Sequence, residues 1–314
     1  MNRFINKFRD INKYKGLFLR KENILKYFRT TENKDSNSVE DILISYELQS
    51  GSYTAGFFKN REIRMQSGKE VSSIIEGLGK FDSIMEAGVG EATTLAINIT
   101  NFREKPNKIF GFDISWSRLK YAKKFLRYFN VDGVNLFVAD IFNIPLFDNS
   151  IDVVYTFHSI ESNKGREKKI IKELYRVARK YVILFEPMYE LAGDDAKKRM
   201  EQLAYAINLS SCVKELGYTV LDYFLFKYPA NVLNPTGVII IKKDDDNIIL
   251  NSSEYRCPVS STKLKKHDKH LLTSIQSHLS YPVIQDIPCL LQDNAIFTYK
   301  LSDPKIKIDG AIKK

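Results

Sequence analysis

No stretch of this 314-residue sequence stays apolar for the roughly 18 residues that a membrane helix needs. The longest apolar candidates, Tyr181–Phe185 and Gly237–Ile241, are short and rich in β-branched residues, the composition of buried strands. A basic N-terminus (Arg3, Lys7, Arg9, Lys13, Lys15) leads into no apolar segment or small-residue cleavage site, so no secretory signal is read there. Cysteine is scarce. Cys212, Cys257 and Cys289 are too few and too scattered for a disulfide framework, and a reducing cytoplasmic setting is the simplest expectation. There is no internal repeat.

What is present is ordinary globular composition, 44% hydrophobic and 27% charged, over a length that suits about two domains. The formal net charge of +10 fits a polyanionic partner, but a general abundance of Lys, Asn and Ile accounts for it without one and is the preferred reading. The first 30 residues interleave Phe4, Phe8, Phe18 and Phe28 with Lys and Arg. They read as amphipathic helix packed on the protein's own surface.

Periodicity organises the rest. Residues 1–80 read as a mainly helical segment, with interruptions near Gly51 and Gly56. Strands and helices then alternate: strands at 83–86, 108–113, 134–140, 151–157, 181–185, 218–226 and 237–242, with helices at 92–99, 116–129, 164–177 and 194–216. This alternation implies an α/β domain with a doubly wound, mostly parallel sheet over residues 81–246. The acidic break Asp244-Asp245-Asp246-Asn247 marks its end. Residues 251–300 carry short strand-like pieces and read as a small β-rich domain, with 301–314 as a tail.

In such sheets ligands sit beyond the carboxyl ends of the strands, and three segments fall there. Glu86-Ala87-Gly88-Val89-Gly90-Glu91-Ala92 follows the first strand, and its glycines allow close approach of a ligand to the backbone. Phe112-Asp113-Ile114 ends the second strand, where a carboxylate can accept two ribose hydroxyls; the alternative is an Asp that caps the next helix. Val138-Ala139-Asp140-Ile141 ends the third. There Asp140 can accept from an exocyclic amine such as adenine's, and Ile141 can pack on a purine face. A nicotinamide dehydrogenase would share the first two features. Against it, Thr93 replaces the third glycine of Gly-x-Gly-x-x-Gly, and Glu91 would repel a pyrophosphate at the helix N-terminus.

In this order, and with the run Pro145 to Val154, the segments resemble the class I S-adenosylmethionine-dependent methyltransferase family over roughly residues 81–242. The resemblance implies a Rossmann-like, seven-stranded sheet whose last strand is antiparallel, with S-adenosylmethionine as cofactor. It implies that Glu86, Gly88 and Gly90 cradle the methionine end, that Asp113 and Ile114 hold the ribose, and that Asp140 and Ile141 hold the adenine. Ala92 departs from the fullest form of the motif, which has a third glycine.

Methyl transfer needs alignment above all, and needs a base only when the acceptor holds its proton tightly. The fourth strand ends Thr156-Phe157-His158-Ser159-Ile160-Glu161-Ser162-Asn163. His158 and Glu161 are the catalytic candidates, and His158 has a second reading as a residue that simply lines the cofactor pocket. Asn163 and Glu186 on the rim, and Tyr53 and Arg64 in a lid-like segment, are candidates for substrate contact. An Arg of that segment, Arg61 or Arg64, could hold the methionine carboxylate. Asn231 and Asn234 could border the acceptor.

Tyr255-Arg256-Cys257-Pro258-Val259-Ser260 and Tyr281 to Leu291 resemble the small zinc-ribbon-like activator subunit of tRNA, ribosomal RNA and release-factor methyltransferases. The resemblance implies a docking module fused in cis. Ser260 stands where a zinc ribbon has a ligand, no second cysteine pair exists, and His267 and His270 fit no standard spacing, so no metal is expected. Ile284, Ile287, Leu290 and Leu291 are the expected docking side chains.

The sequence therefore reads as a cytoplasmic methyltransferase (EC 2.1.1.-) without a membrane span. Its expected acceptor is an oxygen or amine of a small molecule, a sugar or nucleotide-sugar being the first guess. No Asn-Pro-Pro-Tyr-type segment follows the fourth strand, which argues against planar-nitrogen acceptors. RNA or protein methylation, and a non-catalytic cofactor-binding regulatory subunit, are the alternatives.

Overall fold

A computed structural model describes residues 5–229, 231, 233–244 and 254–302. Most of the acidic break, the end of the tail and the first four residues lie outside that range.

Six helices come first: α1 (Ile5–Phe8), α2 (Ile11–Leu19), α3 (Ile24–Thr31), α4 (Val39–Leu48), α5 (Ser52–Lys59) and α6 (Arg61–Gly77). Then follow β1 (Ser83–Ala87), α7 (Leu95–Asn101), β2 (Lys108–Asp113), α8 (Trp116–Tyr128), β3 (Val134–Val138), β4 (Ile151–Phe157), α9 (Glu167–Val177) and β5 (Ala178–Pro187). Next come α10 (Asp194–Gln202), α11 (Leu209–Glu215), β6 (Thr219–Leu225) and β7 (Thr236–Lys242). The last segment holds β8 (Lys265–Lys266), β9 (Leu271–Thr273), β10 (Leu279–Ile284), β11 (Ile287–Pro288), β12 (Ile296–Phe297) and α12 (Tyr299–Ser302).

The large sheet has seven strands in the order β3-β2-β1-β4-β5-β7-β6. β1 to β5 pair in parallel, and β7 runs antiparallel to both β5 and β6. β1 and β4 are buried almost throughout, because helices cover both faces. One apolar cluster lies on each side, around Met85, Val154 and Leu184 and around Ile84, Tyr155 and Phe185. The sheet expected from sequence is therefore present.

Three local expectations need correction. The helix after β1 starts at Leu95 rather than Ala92, because Ala92 occupies a left-handed turn at φ 56°. The single helix expected at 194–216 is two, α10 and α11, parted by a loop in which Ala204 is also left-handed (φ 52°). The chain breaks after Asn60 rather than at Gly56, which lies inside α5.

Helices α1–α4 are tied to the rest by polar contacts. Asp41 accepts from Lys34 and from Lys7 and closes a capping box with Ser38 at the start of α4. Arg29 donates to Asn37 Oδ1 (2.7 Å) and to the Gln202 carbonyl (3.2 Å), and Asn37 in turn donates to the Ser162 carbonyl (2.9 Å). The N-terminal helices thereby lean on the loop after β4 and on the end of α10.

The C-terminal segment covers the open edge of β3. Cys289 pairs in parallel with Val138, and the Leu290 N–H donates to the Val138 carbonyl (2.9 Å). An uncovered edge of this kind would present free backbone groups to other chains. Cys257, Tyr281 and Leu290 join the apolar cluster of one face, and Ile287, Cys289 and Leu291 that of the other. Ile284 differs from expectation, with 47% of its surface exposed. It stands at a hairpin whose turn residues Gln285 and Asp286 are left-handed, and its backbone makes the contact, accepting from Trp116 Nε1 (3.3 Å). Ser260, at the lost ligand position, joins a hydroxyl chain through Thr262 to Ser274. Among the described residues no group of three or more His, Cys, Asp and Glu side chains could hold a metal ion, and no helix is long and apolar enough to cross a membrane.

Candidate active site

A cavity of about 290 Å³ opens at the carboxyl ends of β1 to β4, with helices α4 to α6 over it. Its floor is the turn after β1. Gly88 (φ 73°) and Gly90 (φ 53°) are left-handed. A Cβ at Gly88 would stand 2.4 Å from Ser159 Cβ, and one at Gly90 would stand 2.6 Å from the Arg118 guanidinium. Glycine removes the left-handed strain at both positions, and at Gly88 it also leaves room for Ser159. Glu86 lines the cavity from the end of β1. It accepts from Tyr155 Oη (2.7 Å), and burial pushes its carboxyl up to about 8.

Asp113 closes β2. Its Oδ2 accepts the Gly90 N–H and its Oδ1 the Ser115 N–H, both at 2.9 Å, while Arg118 lies 3.8 Å away. A carboxylate has about four acceptor sites, so capacity for a ligand is left. Ile114 lines the same wall, and Asp140, Ile141 and Phe142 line the cavity beyond β3. Asp140 Oδ1 accepts from the Phe142 N–H (3.1 Å).

The roof is latched by two carboxylates at helix N-termini. Glu91, from the glycine loop, accepts from the backbone N–H of Gly51 (2.8 Å), Tyr53 (3.3 Å) and Thr54 (2.7 Å) at the start of α5. Glu47, from α4, accepts from the hydroxyls of Ser115 and Ser117 at the start of α8. Each places a negative charge at the positive end of a helix. Glu91 therefore ties the floor to the roof. Arg118, which the sequence reading did not single out, is buried between Asp113 and two roof tyrosines. Its guanidinium lies 4.9 Å from the Tyr46 ring and 4.4 Å from Tyr53.

The other end of the cavity gathers His158, Glu161, Asn163, Arg64, Arg199, Tyr205, Asn231 and Asn234. His158 is left-handed (φ 54°) and stacks on Phe157 (4.9 Å). Both its ring nitrogens are engaged, Nε2 with Thr236 Oγ1 at 2.7 Å and Nδ1 with Asn234 Nδ2 at 3.1 Å. Burial, with Arg64 and Arg199 nearby, takes its pKa down to about 3, so the imidazole is neutral at pH 7. Glu161 behaves in the opposite way. Burial raises its carboxyl to about 7, against the hydrogen bonds of Asn234 and Tyr205 and the charges of Arg199 and Arg118. Its Oε2 lies 3.7 Å from His158 Nδ1.

Asn163 lines the wall and accepts from Arg166 (2.9 Å). Glu186 does not reach the rim expected of it. It is fully buried and accepts the N–H groups of Ser159 (3.0 Å) and Ile160 (3.2 Å), which braces the loop after β4. Tyr53 and Arg64 do face the cavity. Arg199, Tyr205 and Tyr46 were not expected there. They come from separate helices and loops, and no local spacing announces them.

Residues 85–185 match the family model described as a methyltransferase domain. No curated protein sequence matches the chain. Among solved structures, an S-adenosylmethionine-dependent methyltransferase from Aquifex aeolicus is similar at 17% identity and TM-score 0.43, over 55% of this chain and 88% of the other. A magnesium protoporphyrin IX methyltransferase from Synechocystis PCC 6803 with bound S-adenosylhomocysteine is similar at 15% identity and TM-score 0.45, over 59% and 84%. A geranyl diphosphate C-methyltransferase from Streptomyces coelicolor is similar at 10% identity and TM-score 0.43, over 54% and 75%.

Proposed function

We propose that this chain, which carries a class I S-adenosylmethionine-dependent methyltransferase domain, methylates an oxygen or amine of a small molecule. The observation that carries this reading is one cavity holding the glycine loop, Asp113 and Asp140 at one end and a buried carboxyl, Glu161, at the other. The residues suit the cofactor. The glycine loop lines the cavity with no side chain at Gly88 or Gly90, and Arg64 Nε is buried without a hydrogen-bond partner, as a residue awaiting a carboxylate would be. In this reading Glu86, Gly88 and Gly90 hold the methionine end and Arg64 its carboxylate. Asp113 and Ile114 take the ribose, and Asp140 and Ile141 the adenine.

The bound sulfonium supplies an activated methyl group. The chain's own work is to align the acceptor and receive its proton. An acceptor lone pair aligned with that methyl group would take it, with the cofactor's sulfur as the leaving group that would keep the electrons of the carbon–sulfur bond. The acceptor proton passes to Glu161, whose raised pKa suits that exchange near neutral pH. His158, neutral and held at both nitrogens, is a positioning residue in this scheme, keeping Asn234 against Glu161. Tyr53 closes the roof and Asn163 lines the acceptor wall. An open cavity at Glu161 favours an enzyme over a purely regulatory subunit. The C-terminal segment serves as a built-in stabiliser of the β3 edge, in keeping with its likeness to an activator subunit.

Calorimetry tests the premise. S-adenosylhomocysteine should bind with one site per chain and NAD should not. Folded protein that binds neither adenosyl ligand would overturn the proposal.

A further inference from the structure

We propose that the acceptor carries an oxyanion, a carboxylate or a phosphate, and that Arg199 binds it beside Glu161. The inference rests on the methyltransferase reading above and deepens it to a substrate class.

Two arginines line the Glu161 end of the cavity, Arg64 from α6 and Arg199 from α10. Both lie near enough to His158 to help hold off its protonation. Each keeps donor capacity that its protein contacts leave open. Arg64 Nε is buried without a hydrogen-bond partner. Arg199 reaches two neutral oxygens at long range, Asn234 Oδ1 at 3.3 Å and the Leu233 carbonyl at 3.5 Å, and a third neutral partner, Tyr205, through a side-chain hydrogen bond and a ring face 5.7 Å from the guanidinium. A guanidinium offers five N–H donors in a planar fork that matches carboxylate and phosphate oxygens, so these contacts leave part of its capacity unused.

The cofactor brings one carboxylate, and Arg64 accounts for it. That leaves Arg199 as a second cation at the same end. Glu161 is a poor counter-ion, because burial keeps it partly protonated near pH 7. Arg199 is half-buried and faces the cavity, so an anionic ligand would pair with its guanidinium there. Asn231, Asn234 and Tyr205 surround the same spot and offer neutral hydrogen bonds to the rest of an acceptor. An anion seated on Arg199 would hold its neighbouring hydroxyl or amine against Glu161, which is the alignment that methyl transfer requires.

The test is a titration of protein saturated with S-adenosylhomocysteine, using inorganic phosphate in one arm and acetate in the other at constant ionic strength. At least one anion should bind with a millimolar or tighter Kd, and the tighter of the two identifies the source of the oxyanion. Arg199→Gln should weaken that binding at least tenfold and leave the affinity for S-adenosylhomocysteine within twofold. Arg199→Lys should recover part of it, which reports an intact fold. Arg64→Gln should show the reverse pattern, with weaker S-adenosylhomocysteine binding and unchanged anion binding once the cofactor site is filled. The proposal is overturned if neither anion binds the loaded protein, or if Arg199→Gln binds as tightly as the wild type. If S-adenosylhomocysteine does not bind, the methyltransferase reading fails instead. The same anion titration on the free protein then still decides whether Arg199 holds an anion.

Discussion

The glycine-loop end of the cavity is built largely from backbone, and the Glu161 end from side chains. At the first, two left-handed glycines and the ends of consecutive parallel strands present N–H and carboxylate groups whose positions the sheet fixes. At the second, His158, Glu161, Arg199, Tyr205 and Asn234 converge from the β4 loop, α10, the α10–α11 linker and the turn before β7. The geometry of the first end is set by the backbone path, which a single side-chain change leaves in place. The second end can be rewritten one side chain at a time.

The largest effect that would separate the two ends is at Glu161. Glu161→Gln should lower the methyl-transfer rate by about 10²- to 10⁴-fold, the usual contribution of a general base. Binding of S-adenosylhomocysteine should change by less than about twofold. In the wild type the rate should climb as pH rises through about 7, because only the deprotonated carboxylate can accept the proton. The variant's profile should be flat there. Single-turnover rates with labelled donor measure both. An unchanged rate in the variant would mean that alignment alone suffices at this end.

Next in size is a perturbation that reaches the glycine-loop end from outside. Leu290 is fully buried in the core cluster, and its backbone N–H pairs with β3, the strand that leads to Asp140. Leu290→Ala should cost about 2–5 kcal/mol of stability, the range for leucine truncation in a core. Denaturant unfolding followed by circular dichroism measures it. A loss below about 1 kcal/mol would show that the C-terminal segment does not support the sheet edge.

The smallest effect concerns Ala92. An alanine held left-handed at φ 56° carries a conformational cost that glycine does not. Ala92→Gly should raise stability by up to about 1 kcal/mol, the usual penalty of that conformation offset by glycine's greater freedom when unfolded. A fall in melting temperature would mean that the alanine methyl contributes more to packing than the backbone strain removes.

By itself, the sequence determined the parallel sheet, its strand boundaries to within a few residues, and the glycine-loop end of the cavity. These are local properties. Short, largely apolar segments at 83–87, 108–113 and 151–157 suit strands buried on both faces, and Gly88, Gly90, Asp113 and Asp140 lie at or just beyond their strand ends. Tertiary structure decided the rest. Glu186 looked like a rim residue because it follows β5, but the path of the β4 loop offered it two N–H groups and drew it inside. Glu91 reads in the sequence only as a charge that would repel a pyrophosphate, whereas in the fold the N-terminus of α5 takes its carboxylate. Arg118 and Arg199 carried no local signal, since a guanidinium on a helix gains meaning only from what the fold brings opposite it. His158 was legible as a candidate, but its ionisation was not, because burial and two distant arginines set it. Hydrophobic periodicity and turn chemistry act over a few residues and can be read in order along the chain. Desolvation and charge pairing act through space, so only the folded chain defines them.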